Sequence, residues 1–278
     1  MGKFSGKVVV ITGGARGQGR ADAVAFAREG ASVVVCDIGQ DIASVPYALG
    51  GDAELKTTVQ MIEDEGGRGS YAVADTRSRS DMAALVKQAI DEFGSVDILV
   101  ANAGIASWHP FTELSEQAWR DVIDVNLTGT ANALAAVIPH MIERNYGRIV
   151  VKGSTLGRQG MANMAHYSAA KWGLHGLVKS LAMEVAMSGI TVNIVNPTIV
   201  NTPMMTCDAV VRLFCPDIDN PTLADAVPRY ATLNKIPMEW MEPEEVSKSV
   251  LFLASDDARY IAGVALDVAA GANTTYTA

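Results

Sequence analysis

Lys7-Val8-Val9-Val10-Ile11-Thr12-Gly13-Gly14-Ala15-Arg16-Gly17-Gln18-Gly19, followed by a helical pattern over Ala21 to Glu29, decides the fold. Val8-Val9-Val10-Ile11 is an unbroken β-branched run, the mark of a strand in a parallel sheet covered by helices on both faces. The glycine-rich turn then aims its N–H groups and the positive end of the next helix at one point, an anion site suited to a pyrophosphate. The spacing is longer than the G-x-G-x-x-G fingerprint, so strand, loop and helix carry the reading together. A second strand, Ala31 to Cys36, ends at Asp37, about twenty residues after the loop. A carboxylate there bonds the ribose hydroxyls of NAD and repels a 2′-phosphate.

The same alternation continues. A helix over Ala53 to Glu65, a strand from Ser70 to Ala74 ending at Asp75, a helix from Ser80 to Phe93 and a strand from Val96 to Ala101 follow. This is one half of a doubly wound sheet. A helical region from Ser115 to Asn145, the strand pattern Arg148-Ile149-Val150-Val151, a helix running through Tyr167 to about Met187 and a strand from Ile190 to Val195 lead on. A helix over Glu242 to Ser255 and a strand from Gly263 to Val268 close the chain. Residues 38–52 have no periodicity and contain Pro46 and Gly50-Gly51, so they read as a surface insertion. Residues 203–241, rich in proline, read as a substrate lid of short helices. The expected architecture is α/β: one domain over 1–278, a Rossmann-like doubly wound parallel sheet with helices on both faces.

Composition narrows the function. At 278 residues, 49% hydrophobic and 19% charged, the chain can bury one sizeable core. A net charge of -9 without any Lys/Arg run argues against nucleic acid and anionic membrane and favours a small-molecule partner. Cys36, Cys207 and Cys215 form no metal cluster and cannot all pair, which reads as reduced thiols in the cytoplasm. His109, His140, His166 and His175 lack ligand partners at metal spacing, so no metal is assigned. The N-terminus runs straight into a strand with no leader, and no run of about 18 apolar residues reads as a membrane span.

The chemistry is read between Ser154 and Lys171. Tyr167 and Lys171 are four apart on a helical pattern, hence on one face, one turn apart. Bringing a tyrosine from about 10 to near 7 needs about 4 kcal/mol of preference for the phenolate. A cation at about 5 Å and an effective dielectric near 20 supplies roughly 3 kcal/mol, and a positively charged nicotinamide could add the rest. Tyr167 then becomes a general base. Ser154, thirteen residues earlier and just after a buried strand, offers a hydroxyl to the substrate oxygen.

Thr12-Gly13 to Gly19, Asn102-Ala103-Gly104, Asn126, Ser154 and Tyr167-x-x-x-Lys171 stand in an order that resembles the short-chain dehydrogenase/reductase family. The resemblance covers nearly the whole chain. It implies an NAD-dependent enzyme that interconverts a secondary alcohol and a ketone, with Asn126, Ser154, Tyr167 and Lys171 catalytic. Asn126 would hold a water that links Lys171 to bulk solvent; the residue-level alternative is a structural amide with its own buried partners. The implied cofactor contacts are Gly13, Arg16, Gly17, Gln18, Gly19, Asp37, Ile38, Asp75, Thr76, Asn102, Ala103, Gly104, Tyr167, Lys171, Pro197, Thr198, Val200 and Thr202. Arg16 points toward NADP, but Asp37 outweighs it because a carboxylate facing a phosphate costs more than a flexible arginine gains.

Pro197-Thr198, where the family has Pro-Gly, together with Ala15 to Arg20, Arg212 to Asp217 and the insertion after Asp37, resembles a narrower branch. That branch is the mycofactocin-associated dehydrogenases, including carveol dehydrogenases. It implies an apolar carveol-like alcohol, NAD held tightly enough to need an external redox carrier (mycofactocin), and a homotetramer. Met161, Met164, Met204, Met205, Trp108 and Trp240 are candidates to line an apolar pocket. Two other readings stay open: a conventional ketone or oxoacyl reductase with freely exchanging NAD(P)H, and a non-catalytic dinucleotide-binding sensor.

Overall fold

The computed structural model describes residues 2–276. Seven strands lie in one sheet: β1 (Val8–Thr12), β2 (Ser32–Asp37), β3 (Arg68–Val73), β4 (Ile98–Ala101), β5 (Gly147–Lys152), β6 (Ile190–Pro197) and β7 (Ala265–Val268). Every neighbouring pair is parallel, in the order β3-β2-β1-β4-β5-β6-β7. The order reverses between β1 and β4, and loops leaving adjacent strands in opposite directions open a crevice there. The β-branched strands are buried because helices cover both faces. On one, α3 (Arg79–Phe93), α5 (Thr130–Arg144) and α6 (Ala165–Val185) pack on Val10, Leu99 and Val151. On the other, α1 (Gly17–Arg28), α2 (Asp52–Asp64) and α10 (Pro243–Ala254) pack on Val9, Ile11 and Val150.

Local chemistry sets the ends. In α2 the inward residues Leu55, Thr58 and Ile62 follow helical spacing. The Ser78 hydroxyl caps α3 by accepting from Asp81 N–H, and Gly94 ends that helix at φ +86°. The helix α1 begins at Gly17, four residues before the apolar periodicity does, because the glycine loop itself forms its first turn.

The helical region after Ser115 is one run with a fault in it. It comprises α4 (Glu116–Ile123), a widened turn over Asp124–Gly129, and α5. Such π-type turns insert a residue and redirect side chains, here at Asn126. The run from Glu116 to Arg144 also contains an 18-residue window of mean hydropathy 1.2, long and apolar enough to cross a membrane by composition. Continuous apolar runs did not reveal it; half of that window is buried inside the protein, where α5 packs on β4, β5 and α3.

Residues 203–241 form α7 (Pro203–Thr206), α8 (Asp208–Phe214) and α9 (Leu223–Ala231) around a small core of Val210, Val211 and Tyr230. Residues 38–51 contain no helix or strand. They are not merely a surface loop, however. Ile42 and Val45 are buried with Ile105, Leu156 and Tyr167, because the segment folds back across the mouth of the crevice.

Candidate active site

The glycine loop crosses from β1 into α1 at the carboxyl edge of the sheet. Gly13 has φ +67°, and a Cβ there would come 2.8 Å from the Ala103 Cα, so only glycine lets the two loops meet. Asn102 stitches them: its Nδ2 donates to the Thr12 and Gly13 carbonyls at 3.0 Å each. Gly19 is fixed by a different constraint, since a Cβ would fall 2.1 Å from the Gly13 carbonyl oxygen. The residue before α1, Arg16, makes no side-chain cap bond, so the first N–H groups of the helix stay available for an anion.

Gly13, Arg16, Gly17, Gln18, Asp37, Ile38, Asp75, Thr76, Asn102, Ala103, Gly104 and Thr202 line one cleft. Asp37 ends β2 in that cleft, and its carboxylate accepts from Ala15 N–H at 3.1 Å and Ile38 N–H at 2.9 Å. Burial nevertheless pushes this carboxyl up. The Arg16 guanidinium donates to the Ala48 carbonyl and lies 3.8 Å from Glu54. The Asp75 carboxylate is paired with Arg77 at 2.7 Å. An uncapped helix start, an acid at the end of β2 and a glycine-lined floor suit a dinucleotide whose ribose carries free hydroxyls.

Ile42, Tyr47, Leu49 and Gly50 also line this cleft, and sequence reasoning missed them. The signal was present: four apolar side chains at 42, 45, 47 and 49 in a segment without periodicity.

A second cavity of about 410 Å³ adjoins the first, with Gln18, Thr202 and Met204 lining both. Trp108, Leu156, Met161, Met164, Ile199, Met204, Met205 and Phe214 make its walls mostly apolar, and Ser154 and Tyr167 line it with Thr155, Gln159, Thr198, Thr232, Lys235 and Thr275. Trp240 is not among them; it packs toward Tyr230, ring centroids 6.4 Å apart, in the small core of residues 203–241. Pro197, Thr198 and Val200 line this second cavity rather than the cleft.

Tyr167 and Lys171 share one face of α6, with Lys171 Nζ 5.5 Å from the centre of the Tyr167 ring. The electrostatics differ from the simple picture of a cation lowering a phenol. Burial pushes Tyr167 up to about 12, against a downward pull from the Ser154 hydroxyl. Burial, with Lys152 adding repulsion, pushes Lys171 down to about 7. Lys171 Nζ donates instead to the Lys152 carbonyl at 2.8 Å. Desolvation of both groups outweighs their mutual effect.

Asn126 sits in the widened turn with its amide spent on backbone: Nδ2 donates to the Ile105 and Val122 carbonyls at 2.8 Å, and Oδ1 accepts from Ile105 N–H at 3.2 Å. A methyl on Gly104 would lie 2.6 Å from Asn126 Oδ1 and 3.6 Å from Lys171 Nζ, so both residues abut that glycine. His166 is buried and bonded to Ser107 at 2.9 Å, and burial lowers it to about 4, which keeps its ring neutral. Among the described residues no group of three His, Cys, Asp or Glu is placed to hold a metal ion.

Comparison with known proteins bears on this geometry. The family model for short chain dehydrogenase matches residues 7–209. A (-)-trans-carveol dehydrogenase of Rhodococcus erythropolis is 42% identical over 275 residues, covering 98% of this chain and 99% of that protein. The crystal structure of a carveol dehydrogenase from Mycobacterium avium in complex with NAD superposes with a TM-score of 0.96 at 37% identity, covering 99% of this chain and 100% of that one. A short chain dehydrogenase from Mycobacterium paratuberculosis bound to NAD gives a TM-score of 0.89 at 35% identity over 98% of this chain and 100% of that one.

Proposed function

The chain belongs to the short chain dehydrogenase family and is an NAD-dependent oxidoreductase acting on CH–OH groups, and we propose that it interconverts an apolar, carveol-like secondary alcohol and its ketone. The observation that carries the substrate reading is the second cavity: its walls are mostly apolar, and Ser154 and Tyr167 open onto it. A hydrocarbon ring gains by leaving water for such walls, and Ser154 and Tyr167 offer its hydroxyl two partners. Ser154 holds the substrate oxygen. Tyr167 accepts its proton in oxidation and returns it in reduction. The glycine loop and Asp37 would hold NAD in the adjoining cleft, where it would supply the hydride acceptor. Burial disfavours the Tyr167 phenolate and the Ser154 hydroxyl opposes that. Lys171, its Nζ 5.5 Å from the centre of the Tyr167 ring, is the group that passes this proton on.

NAD is further proposed to stay bound between turnovers, with an external carrier such as mycofactocin reoxidising it. The folded-back segment 38–51 supports this, since Ile42, Tyr47, Leu49 and Gly50 line the cleft. A homotetramer is supported by apolar side chains left exposed on α6, and a cytoplasmic setting by three free cysteines.

The test is turnover on a panel of cyclic secondary alcohols with an artificial electron acceptor. Tyr167→Phe should lower the rate by about 100-fold or more while NAD still co-purifies. Retained turnover in that variant would refute the assignment of the base.

A further inference from the structure

Two buried groups beneath the junction of cleft and cavity have no part in the mechanism above. Lys152, the last residue of β5, is 4% exposed, and Asp22 of α1 is fully buried. Lys152 Nζ sits 3.0 Å from Asp22 Oδ2, and Ser247 of α10 donates to Asp22 Oδ1 at 2.7 Å. The same ammonium donates to Gln18 Oε1 at 3.3 Å. Apolar side chains of equal volume would serve stability as well or better than a buried ion pair. What the pair does that apolar residues cannot is hold the polar group at its end. An ammonium only donates, so the amide atom facing Lys152 is the oxygen, and the Gln18 NH2 is the end left free. Gln18 lines both the cleft and the cavity. Residue 152 also reaches the opposite face of the sheet, where its carbonyl accepts from Lys171.

We propose that Lys152, held by Asp22 and Ser247, is a positioning residue for the redox reaction. It orients Gln18 so that the amide NH2 stands as a donor at the junction, for an acceptor oxygen on the nicotinamide end of the dinucleotide. The proposal rests on the reading that NAD occupies the cleft. Orientation matters there because small misplacements of the reacting groups are costly to rate.

The experiment compares the full-length Gln18→Leu, Lys152→Met, Lys152→Met/Gln18→Leu and Asp22→Leu/Lys152→Met proteins with the parent. It reads kcat for the alcohol, melting temperature, and exchange of bound NAD against labelled NAD. Gln18→Leu and Lys152→Met should each lower kcat about tenfold or more and speed NAD exchange. The Lys152→Met/Gln18→Leu protein should be no worse than the worse single variant, as for two residues acting as one unit. Asp22→Leu/Lys152→Met should recover melting temperature without recovering kcat or exchange. Parental kcat and exchange in that apolar pair, or in Gln18→Leu, would overturn the proposal. If the parent oxidises no alcohol, the reading of the reaction fails, and the exchange rates alone decide the role of Lys152.

Discussion

At Tyr167 and Lys171 burial acts in opposite directions, raising the phenol to about 12 and lowering the ammonium from 10.5 to about 7. Between about 7 and 10.5 the unfolded chain therefore carries a proton on Lys171 that the folded chain lacks. Where the unfolded state binds more protons, stability rises with pH. Lys171 thus destabilises most below about 7, and that cost fades as pH climbs toward 10.5. Tyr167 opposes this only above its ordinary value of 10.0, where the unfolded chain begins to lose the phenolic proton first. Lys171→Met should accordingly flatten the rise in stability between pH 7 and 10. Urea midpoints across that range measure it; identical slopes in parent and variant would sink the claim.

Among the elements, segment 38–51 differs most from its appearance in the sequence. Three bonds tie it down: Ser44 Oγ donates to Asp121 Oδ2 at 2.7 Å, Ala106 N–H donates to Tyr47 Oη at 3.0 Å, and Arg16 donates to the Ala48 carbonyl. It runs as a strap from the end of β2 to α4 and the loop after β4. Removing the Tyr47 hydroxyl leaves Ala106 N–H without its partner, at a cost of about 1–3 kcal/mol. If the strap must lift for NAD to leave, Ser44→Ala/Tyr47→Phe should speed NAD exchange by about tenfold or more, since about 1.4 kcal/mol corresponds to tenfold. Release of radiolabelled NAD from the purified protein reads this directly. An unchanged rate would mean that the strap covers the cofactor without retaining it.

For the whole molecule, three large apolar side chains are exposed along α6 and just past its end. Trp172 and Met183 of α6 and Met187 just beyond it are 51%, 82% and 97% exposed. Residues 172 and 183 share a face of α6 by spacing, and α6 packs against α4, where Trp119 is also exposed. Large apolar side chains exposed on one face fit a protein interface. In the proposed tetramer, Met183→Asp/Met187→Asp should lower the mass seen by light scattering and leave the circular dichroism of the subunit unchanged. A parental mass would place the subunit contact elsewhere.

The sequence by itself determined the parallel sheet, the glycine loop, the acid at the end of β2 and the Tyr167-Lys171 pair, because each is a matter of local spacing. A run such as Val8 to Ile11 has one stable environment, and residues four apart on a helix must be neighbours. Three features were left to the tertiary structure. Lys152 follows an apolar strand pattern and nothing in the spacing marks it; only the packing of α1 and α10 buries it against Asp22. Tyr47 and its neighbours carried no period to mark them, and became cleft residues because the segment docks on a loop 59 residues away. The direction of the Tyr167 and Lys171 shifts depended on burial, which is a property of the assembled site: spacing brings charges together, but solvent exclusion decides what proximity is worth.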